Sequence, residues 1–233
     1  MWNSLEITQF CAKQLIELEA EINAQSTYRG LDSYSEIQLH PFIHQAFTTT
    51  DFGALREICY PTASVENPTN TQRQRCDIVL TPNTKQSIFD PIDEQRTRQK
   101  AAGTLFESSA LLESPPEGTI PPEDAYWLEI KSIAQFSYVD GVPNPNSSYS
   151  SEMLNGPRTD VIKLASDPLI RHAGVLVVHF AQDKLTGIHD ISAAVDHMIS
   201  LELPVSIPEF ESIPIKNHAG NEYCTLGLIP VRL

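Results

Sequence analysis

The chain has 233 residues, of which 41% are hydrophobic, and 30 acidic residues against 16 basic ones give a net charge of −14. This length suits one medium-sized domain with a substantial core, and no apolar run is long enough for a membrane-spanning helix. The acidic balance opposes a role in wrapping DNA, because phosphate contacts require clustered lysines and arginines. The first residues, MWNSLEITQF, lack the basic and apolar regions of a secretory signal, which predicts a cytoplasmic protein.

Four cysteines are spread along the chain, and no two of them form a CxxC pair. Their wide spacing fits neither a zinc ribbon nor a disulfide scaffold. Free, buried thiols in a reducing compartment are the expected state, which agrees with a cytoplasmic protein.

Two helical segments begin the chain. Apolar residues recur every three or four positions over residues 4–24, so they form one stripe of an amphipathic helix. A second, shorter helix is predicted over 33–47, where Pro41 would interrupt the backbone hydrogen bonding. Either this helix bends at Pro41, or it starts near His40 with the proline in its first turn. The stripe of the first helix consists of Ile7, Cys11, Leu15, Leu18 and Ile22.

Three strands are predicted in the middle of the chain. Residues 55–61 and 75–82 are rich in strand-favouring side chains and flank a polar turn, which is typical of an antiparallel pair. The third strand, AYWLEIKSI, begins at Ala125. An insertion over 83–122 separates the second strand from the third. It is predicted to hold a charged helix, PIDEQRTRQKAAGTLF, and then a surface loop rich in Pro, Glu and Ser over 107–124.

The last third of the chain alternates helices and strands. A loop rich in Pro, Asn and Ser follows the third strand, and a helix is predicted after Pro157. A continuous apolar run at 173–180 predicts a strand buried on both faces. An amphipathic helix, DISAAVDHMISL, and a final strand, EYCTLGLIPVRL, complete the chain. This order predicts an α/β fold, with a central mixed β-sheet flanked by helices, in a single domain over residues 1–233.

Three charged residues interrupt strands that are otherwise apolar. Asp77 lies in RCDIVL, and Glu129 and Lys131 lie in WLEIK, where their spacing directs both side chains to one face. Buried charges persist only when they are paired or bound to a metal. For Glu129 and Lys131 alone, a salt bridge or a water-facing sheet surface explains the pattern equally well. With Asp77 added, two carboxylates and one ammonium form a set suited to holding Mg²⁺ and hydrolysing a phosphodiester.

The combination of Asp77 with EIK at 129–131, after a gap of 51 residues, resembles the PD-(D/E)XK nuclease superfamily. That family has a restriction-endonuclease-like fold, with an acidic residue on one core strand and (D/E)xK on the next. The resemblance extends over residues 30–182 and includes the order of helices and strands. Cys76 stands where the family name has a proline, and the insertion lengthens the gap. Several members also carry an Asp and a Lys one turn apart after the (D/E)xK strand, like Asp160 and Lys163 here.

The resemblance implies a metal-dependent nuclease that hydrolyses phosphodiester bonds in nucleic acid, DNA rather than RNA. Asp77 and Glu129 would hold Mg²⁺, or Mn²⁺ in its place, with help from the carbonyl group of Ile130. Lys131 would position or activate the attacking water and stabilise charge that builds up on the phosphate.

Many members of the family add a catalytic glutamate from an amino-terminal helix. Glu36 is the candidate for this role and Glu19 the alternate, although a solvated glutamate at a helix end is an equally ordinary explanation of Glu36. Glu36 also precedes His40 and His44 by four and eight residues, a spacing that would suit zinc on a straight helix. Pro41 and the absence of an HExxH pattern favour ordinary surface histidines instead.

Basic residues are concentrated around the insertion, where they offer either phosphate contacts to nucleic acid or an ordinary solvated helix face. Because the chain as a whole is acidic, a homodimer or a partner protein would have to add positive surface. The rival hypothesis is a catalytically inactive or protein-binding module on the same fold, with 107–124 as a docking segment. Hydrolysis of a small phosphate ester is a third, weaker alternative. The candidate phosphate contacts are Arg73, Arg75, Arg96, Arg98 and Lys100.

Overall fold

A computed structural model describes residues 2–25, 28–62, 73–104 and 117–233. In these residues the chain forms five α-helices and two short 3₁₀ turns, at Leu31–Ser33 and Pro122–Asp124. The helices are α1 (Ser4–Ala24), α2 (Glu36–Gln45), α3 (Pro91–Ala101), α4 (Tyr149–Ala165) and α5 (Lys184–Ser200). None of the helices in the described ranges is long and apolar enough to cross a membrane.

Six strands form the main sheet, and four short strands form two separate pairs. The main strands are β1 (Gly53–Cys59), β2 (Arg75–Thr81), β5 (Tyr126–Ala134), β8 (His172–Ala181), β9 (Glu209–Pro214) and β10 (Tyr223–Val231). The short strands are β3 (Ser87–Ile88), β4 (Thr119–Ile120), β6 (Phe136–Val139) and β7 (Val142–Pro145). The order across the main sheet is β1-β2-β5-β8-β10-β9.

The main sheet is mixed. Strands β5 and β8 are parallel, and each of the other four neighbouring pairs is antiparallel. Helix α4 makes the crossover between the two parallel strands, as a parallel connection requires. This arrangement confirms the predicted α/β fold with a central mixed sheet and flanking helices.

Helices cover both faces of the sheet and create two apolar layers. On one face, α1 and α2 pack over side chains such as Leu128 and Leu226. On the other face, α4 and α5 pack over side chains such as Trp127 and Val175. Strand β8 lies in the middle and is buried from Ala173 onwards, which confirms the continuous apolar run as a strand covered on both sides.

Both interior prolines lie within helices. Helix α2 starts at Glu36 and continues through Pro41, so the alternative start near His40 is wrong. Helix α4 starts at Tyr149, eight residues before Pro157, and the prediction of a helix only after this proline is wrong as well. Each proline removes one backbone hydrogen bond, and for Pro157 the burial of the residue offsets part of that loss.

Two further elements differ from the sequence prediction. The segment after β5, predicted as a loop, forms the β6–β7 hairpin, whose two-residue turn is Asp140-Gly141 with positive φ at both positions. Strand β9, at the edge of the sheet, was not predicted. The insertion contains α3 as predicted, and its Pro/Glu/Ser loop lies largely outside the described residues, except for 117–124, which contribute β4 and a 3₁₀ turn.

Candidate active site

The candidate site lies where strands β2 and β5 separate. The two strands pair only at Ile78–Leu128, Val79–Trp127 and Leu80–Tyr126. Beyond Leu128 the backbone pairing of the two strands stops. The Asp77 side chain supplies the acceptor there, because its Oδ2 accepts a hydrogen bond of 2.8 Å from the amide of Ile130. The divergence therefore brings Asp77, Glu129 and the backbone of Ile130 together at one opening in the sheet.

The carboxyl groups of Asp77 and Glu129 lie close enough together for each to affect the ionisation of the other. Glu129 is only 2% exposed, and this burial, together with the neighbouring Asp77, raises the pKa of Glu129 from 4.5 to about 7. Burial also raises the pKa of Asp77. Two neighbouring carboxyl groups, one buried and one partly buried, favour a shared proton or a bound cation, because two adjacent negative charges are unfavourable in a poorly solvated site.

Two side chains anchor Glu129 through its Oε1 atom. The hydroxyl of Tyr60 donates a hydrogen bond of 2.5 Å, and Nζ of Lys163 lies at 2.8 Å. Tyr60 is at the end of β1 and is itself buried, and burial raises its pKa, so the phenol remains a donor. With Oε1 occupied in this way, Oε2 is the oxygen that a cation beside Asp77 would contact.

Lys131 lies between two carboxylates on the same side of the opening. Its Nζ is 3.0 Å from Glu36 Oε1 and 3.1 Å from Asp160 Oδ2, while Lys163 Nζ is 3.2 Å from Asp160 Oδ1. Burial alone would lower the pKa of Lys131, but Asp160 and Glu36 outweigh it and raise the pKa well above its ordinary value. Lys131 is therefore a permanent ammonium group.

Helix α2 directs three polar side chains toward different partners. Glu36, in the first turn, contacts Lys131 and also accepts a hydrogen bond of 3.3 Å from the amide of Ser132. His40 Nδ1 lies 3.8 Å from Asp77 Oδ1, and His44 Nε2 lies 3.0 Å from the carbonyl oxygen of Ala54. The spacing of Glu36, His40 and His44 thus does not gather them around one zinc ion.

The structure brings together the four residues that the sequence singled out for catalysis, together with the Asp/Lys pair of α4. Glu19, the alternate helical glutamate, does not join them, because its Oε1 accepts hydrogen bonds from the Lys216 amide at 2.8 Å and the Asn23 side chain at 2.9 Å. The residues that meet at the opening are Glu36, Asp77, Glu129, Lys131, Asp160 and Lys163.

Sequence reasoning did not assign three residues around this opening to the site. Tyr60 anchors Glu129, and His40 and Glu57 each place a potential ligand atom near Asp77, with all three ligand atoms within 4.8 Å of one another. Tyr60 comes directly after β1, and no sequence pattern around it indicates a role in a site. His40 was noticed only as part of a zinc spacing, and Glu57 reads as an ordinary water-facing residue of a half-exposed strand.

The donor atoms at the opening fit a hard cation. Asp77 and Glu129 supply carboxylate oxygens. The backbone N–H and C=O of one residue point to the same side of an extended strand. Because the Ile130 amide reaches Asp77, the Ile130 carbonyl lies on the same edge of the strand. Magnesium is usually held by one or two carboxylates together with water. The hydrogen bond from the Ile130 amide to Asp77, which brings this carboxylate beside Glu129, is the observation that supports this fit.

Most of the candidate phosphate contacts are engaged within the protein. Arg73, with a side chain only 4% exposed, is 2.6 Å from Asp90 and also donates to the Tyr60 carbonyl. In α3, Arg96 pairs with Asp93, and Arg98 pairs with Glu94. Arg75 donates to the Glu57 carbonyl at 3.3 Å, and Lys100 is exposed. The predicted role of Arg73 as a phosphate contact does not agree with its burial.

We expect Arg73→Met to lower the free energy of unfolding by about 2 kcal/mol, because it removes a buried cation from Asp90 and from a backbone carbonyl. The matched variant Arg98→Met removes an exposed ion pair, which contributes less than about 0.5 kcal/mol. Urea denaturation followed by tryptophan fluorescence measures both changes. Equal effects of the two substitutions would contradict a structural role for Arg73.

No protein-family model, no curated protein and no solved structure matches the chain.

Proposed function

We propose that the protein is a metal-dependent nuclease that hydrolyses phosphodiester bonds in nucleic acid, with DNA as the substrate that the family resemblance favours. The observation that carries this proposal is the convergence of Asp77, which accepts a hydrogen bond from the Ile130 amide, with Glu129 and the Lys131 ammonium at the opening of the sheet. In the sequence, 51 residues separate Asp77 from Glu129, and Lys131 follows two positions later. Asp77 can therefore meet the other two residues only through the fold.

Asp77, Glu129 and the Ile130 carbonyl would hold the cation, which supplies Lewis-acid stabilisation of a phosphoryl oxygen and access to hydroxide at neutral pH. Glu129 is kept in place by Tyr60 and Lys163. Such anchoring matters because catalytic groups act only when they are held close to their productive positions.

Lys131 would stabilise the negative charge that develops on the scissile phosphate. Its raised pKa argues against the alternative role as a general base, because a base must give up its proton near the working pH. Glu36 and Asp160 contact its Nζ on two sides and so position it. A surface cavity of about 550 Å³ is lined in part by Ser132, Tyr138 and Glu36, the residue that contacts Lys131, and has room for a nucleotide.

The test is cleavage of supercoiled plasmid, circular single-stranded DNA and structured RNA by the full chain in Mg²⁺ or Mn²⁺, with EDTA as the control. Lys131→Ala is expected to slow cleavage about 10²–10³-fold, the effect of removing one donor to a developing negative charge. Lys85→Ala, an exposed lysine in the insertion, serves as the matched control. Cleavage at an unchanged rate by Lys131→Ala would rule out this assignment.

A catalytically inactive, protein-binding module is the second candidate function. The observation that favours it is charge: the arginines of α3 are paired with acids of the same helix, and Asp32, Asp140 and Glu152 line the cavity beside the site. Calorimetric titration with Mg²⁺ separates the two candidates. Binding that disappears in Asp77→Asn supports the nuclease, whereas no binding to the wild-type chain supports the module.

A further inference from the structure

A second group of candidate ligands lies on the β1 side of Asp77. His40, Glu57 and Asp77 each offer one ligand atom, and these atoms lie within 4.8 Å of one another. Ligands on opposite sides of one ion, at bond lengths near 2.1 Å, are about 4.2 Å apart. Small side-chain rotations would therefore bring all three atoms onto one cation.

Glu57 faces Asp77 directly across strands β1 and β2. The pairs Arg56–Ile78 and Ile58–Cys76 flank an interruption of the ladder, at which Glu57 and Asp77 are not themselves paired but lie across from each other. Like charges placed directly opposite are destabilising in an antiparallel pair. Glu57 also has a φ of 55°, which few residues other than glycine adopt. A shared cation would offset the repulsion between these two carboxylates.

His40 is the independent observation that points to a ligand. The residue is only 4% exposed, and its Nε2 finds no hydrogen-bond partner in the described part of the chain. Its Nδ1 is 3.8 Å from Asp77 Oδ1, which is too long for a hydrogen bond. A buried ring nitrogen without a partner is unfavourable, and coordination to a metal would satisfy one of these nitrogens.

We propose that His40, Glu57 and Asp77 form a second cation site, which takes a first-row transition ion such as Mn²⁺ in preference to Mg²⁺. Imidazole nitrogen suits transition ions, whereas Mg²⁺ prefers oxygen ligands alone. Asp77 would then have one ion on the β1 side and another on the β5 side, as in paired-ion sites where a carboxylate bridges two metals. The purpose of the second ion rests on the proposed nuclease function, but its binding does not.

The test measures Mn²⁺ binding to the full chain by electron paramagnetic resonance, without any substrate. We expect two Mn²⁺ ions per chain, of which one resists displacement by excess Mg²⁺. Electron spin echo modulation from a directly bound ¹⁴N nucleus is expected for the resistant ion. His40→Ala should abolish both the nitrogen modulation and the resistant ion, whereas His44→Ala, a histidine one turn further along α2, should leave both intact.

Glu57→Gly provides a variant whose folding is protected, because glycine adopts the positive φ at this position without strain. It is expected to lose the Mg²⁺-resistant ion while its urea midpoint stays at or above that of the wild type. Nitrogen modulation that is absent from the wild type, or that persists in His40→Ala, would overturn the second site. Retention of the resistant ion by Glu57→Gly would do the same.

The second site and the nuclease can fail separately. His40-dependent nitrogen modulation in a protein that cleaves no nucleic acid supports the second site and counts against the nuclease. Cleavage in Mg²⁺ without any Mg²⁺-resistant Mn²⁺ supports the nuclease and overturns the second site.

Discussion

Asp77→Asn is expected to reduce cleavage of DNA about 10³–10⁴-fold, the largest loss of activity among the substitutions considered. Asparagine keeps the size of the side chain and an oxygen that can accept the hydrogen bond from the Ile130 amide. It removes one negative charge from the pair that would hold the cation, whose stabilisation of the transition state is worth several kcal/mol. Single-turnover cleavage of plasmid at saturating Mg²⁺ measures the loss.

Calorimetry on the same variant connects this loss to the cation. Mg²⁺ binding should weaken or disappear in Asp77→Asn, while Asp51→Asn, a change of an exposed aspartate, should leave binding and cleavage unaltered. The urea midpoint of Asp77→Asn should stay at or above that of the wild type, because the substitution also removes the repulsion from Glu129. If the variant cleaved within tenfold of the wild-type rate, Asp77 would have no part in catalysis.

The main strands could be predicted because their periodicity reflects burial that the fold imposes. The run from Ala173 to Phe180 is apolar throughout because helices cover both faces of β8. In β5, charged residues alternate with Leu128, Ile130 and other apolar residues, so Glu129 and Lys131 emerge on one face and Asp77 supplies the third charge. Local patterns of this kind carry enough information to place individual side chains on strands.

The surroundings of the site depend on contacts between distant segments, which local patterns do not contain. Tyr60 meets Glu129 across 69 positions, and Lys131 meets Glu36 across 95. The proximity of Glu57 to Asp77 depends on the register of β1 and β2, and nothing in the sequence indicates the positive φ of Glu57, because the residue is not a glycine.

For some features the sequence did contain a local signal, but neighbouring residues favoured a different prediction. The dipeptide Asp140-Gly141 is a strong indication of a two-residue hairpin turn, but the prolines and asparagines around it favoured a loop. Pro41 and Pro157 suggested helix boundaries, although tertiary packing maintains both helices across them. Arg73 looked like a surface cation because the burial of its side chain and its ion pair with Asp90 depend on contacts between segments that are distant in the sequence.

The raised pKa of Glu129 implies that the candidate site destabilises the protein at alkaline pH. Between pH 4.5 and about 7 the folded chain retains a proton that the unfolded chain has lost. Stability falls with pH wherever the folded state binds more protons than the unfolded state. A shift of this size corresponds to a loss of about 3 kcal/mol by pH 8. Asp77 contributes to the same titration, because the two carboxyl groups titrate as a pair.

Glu129→Gln should therefore raise the free energy of unfolding at pH 8 by about 2–3 kcal/mol in the absence of divalent cations, although it is expected to slow cleavage. The amide keeps an acceptor for the Tyr60 hydroxyl but carries no charge to repel Asp77. Urea denaturation between pH 5 and pH 8 tests this: the wild type should lose stability as the pH rises, and the variant should lose much less. Addition of Mg²⁺ at pH 8 should stabilise the wild type and not the variant, because only the wild type would bind the ion between two carboxylates.

The control for this comparison is Glu21→Gln, which changes an exposed glutamate on α1 and should follow the wild-type dependence on pH. Parallel curves for the wild type and Glu129→Gln would show that Glu129 is ionised in the folded protein at every pH tested. In that case the contact with Asp77 would impose no cost on the metal-free fold, and the main support for a cation between the two residues would be lost. A gain in stability that accompanies the loss of cleavage would instead indicate that the carboxyl pair is retained for function at the expense of folding.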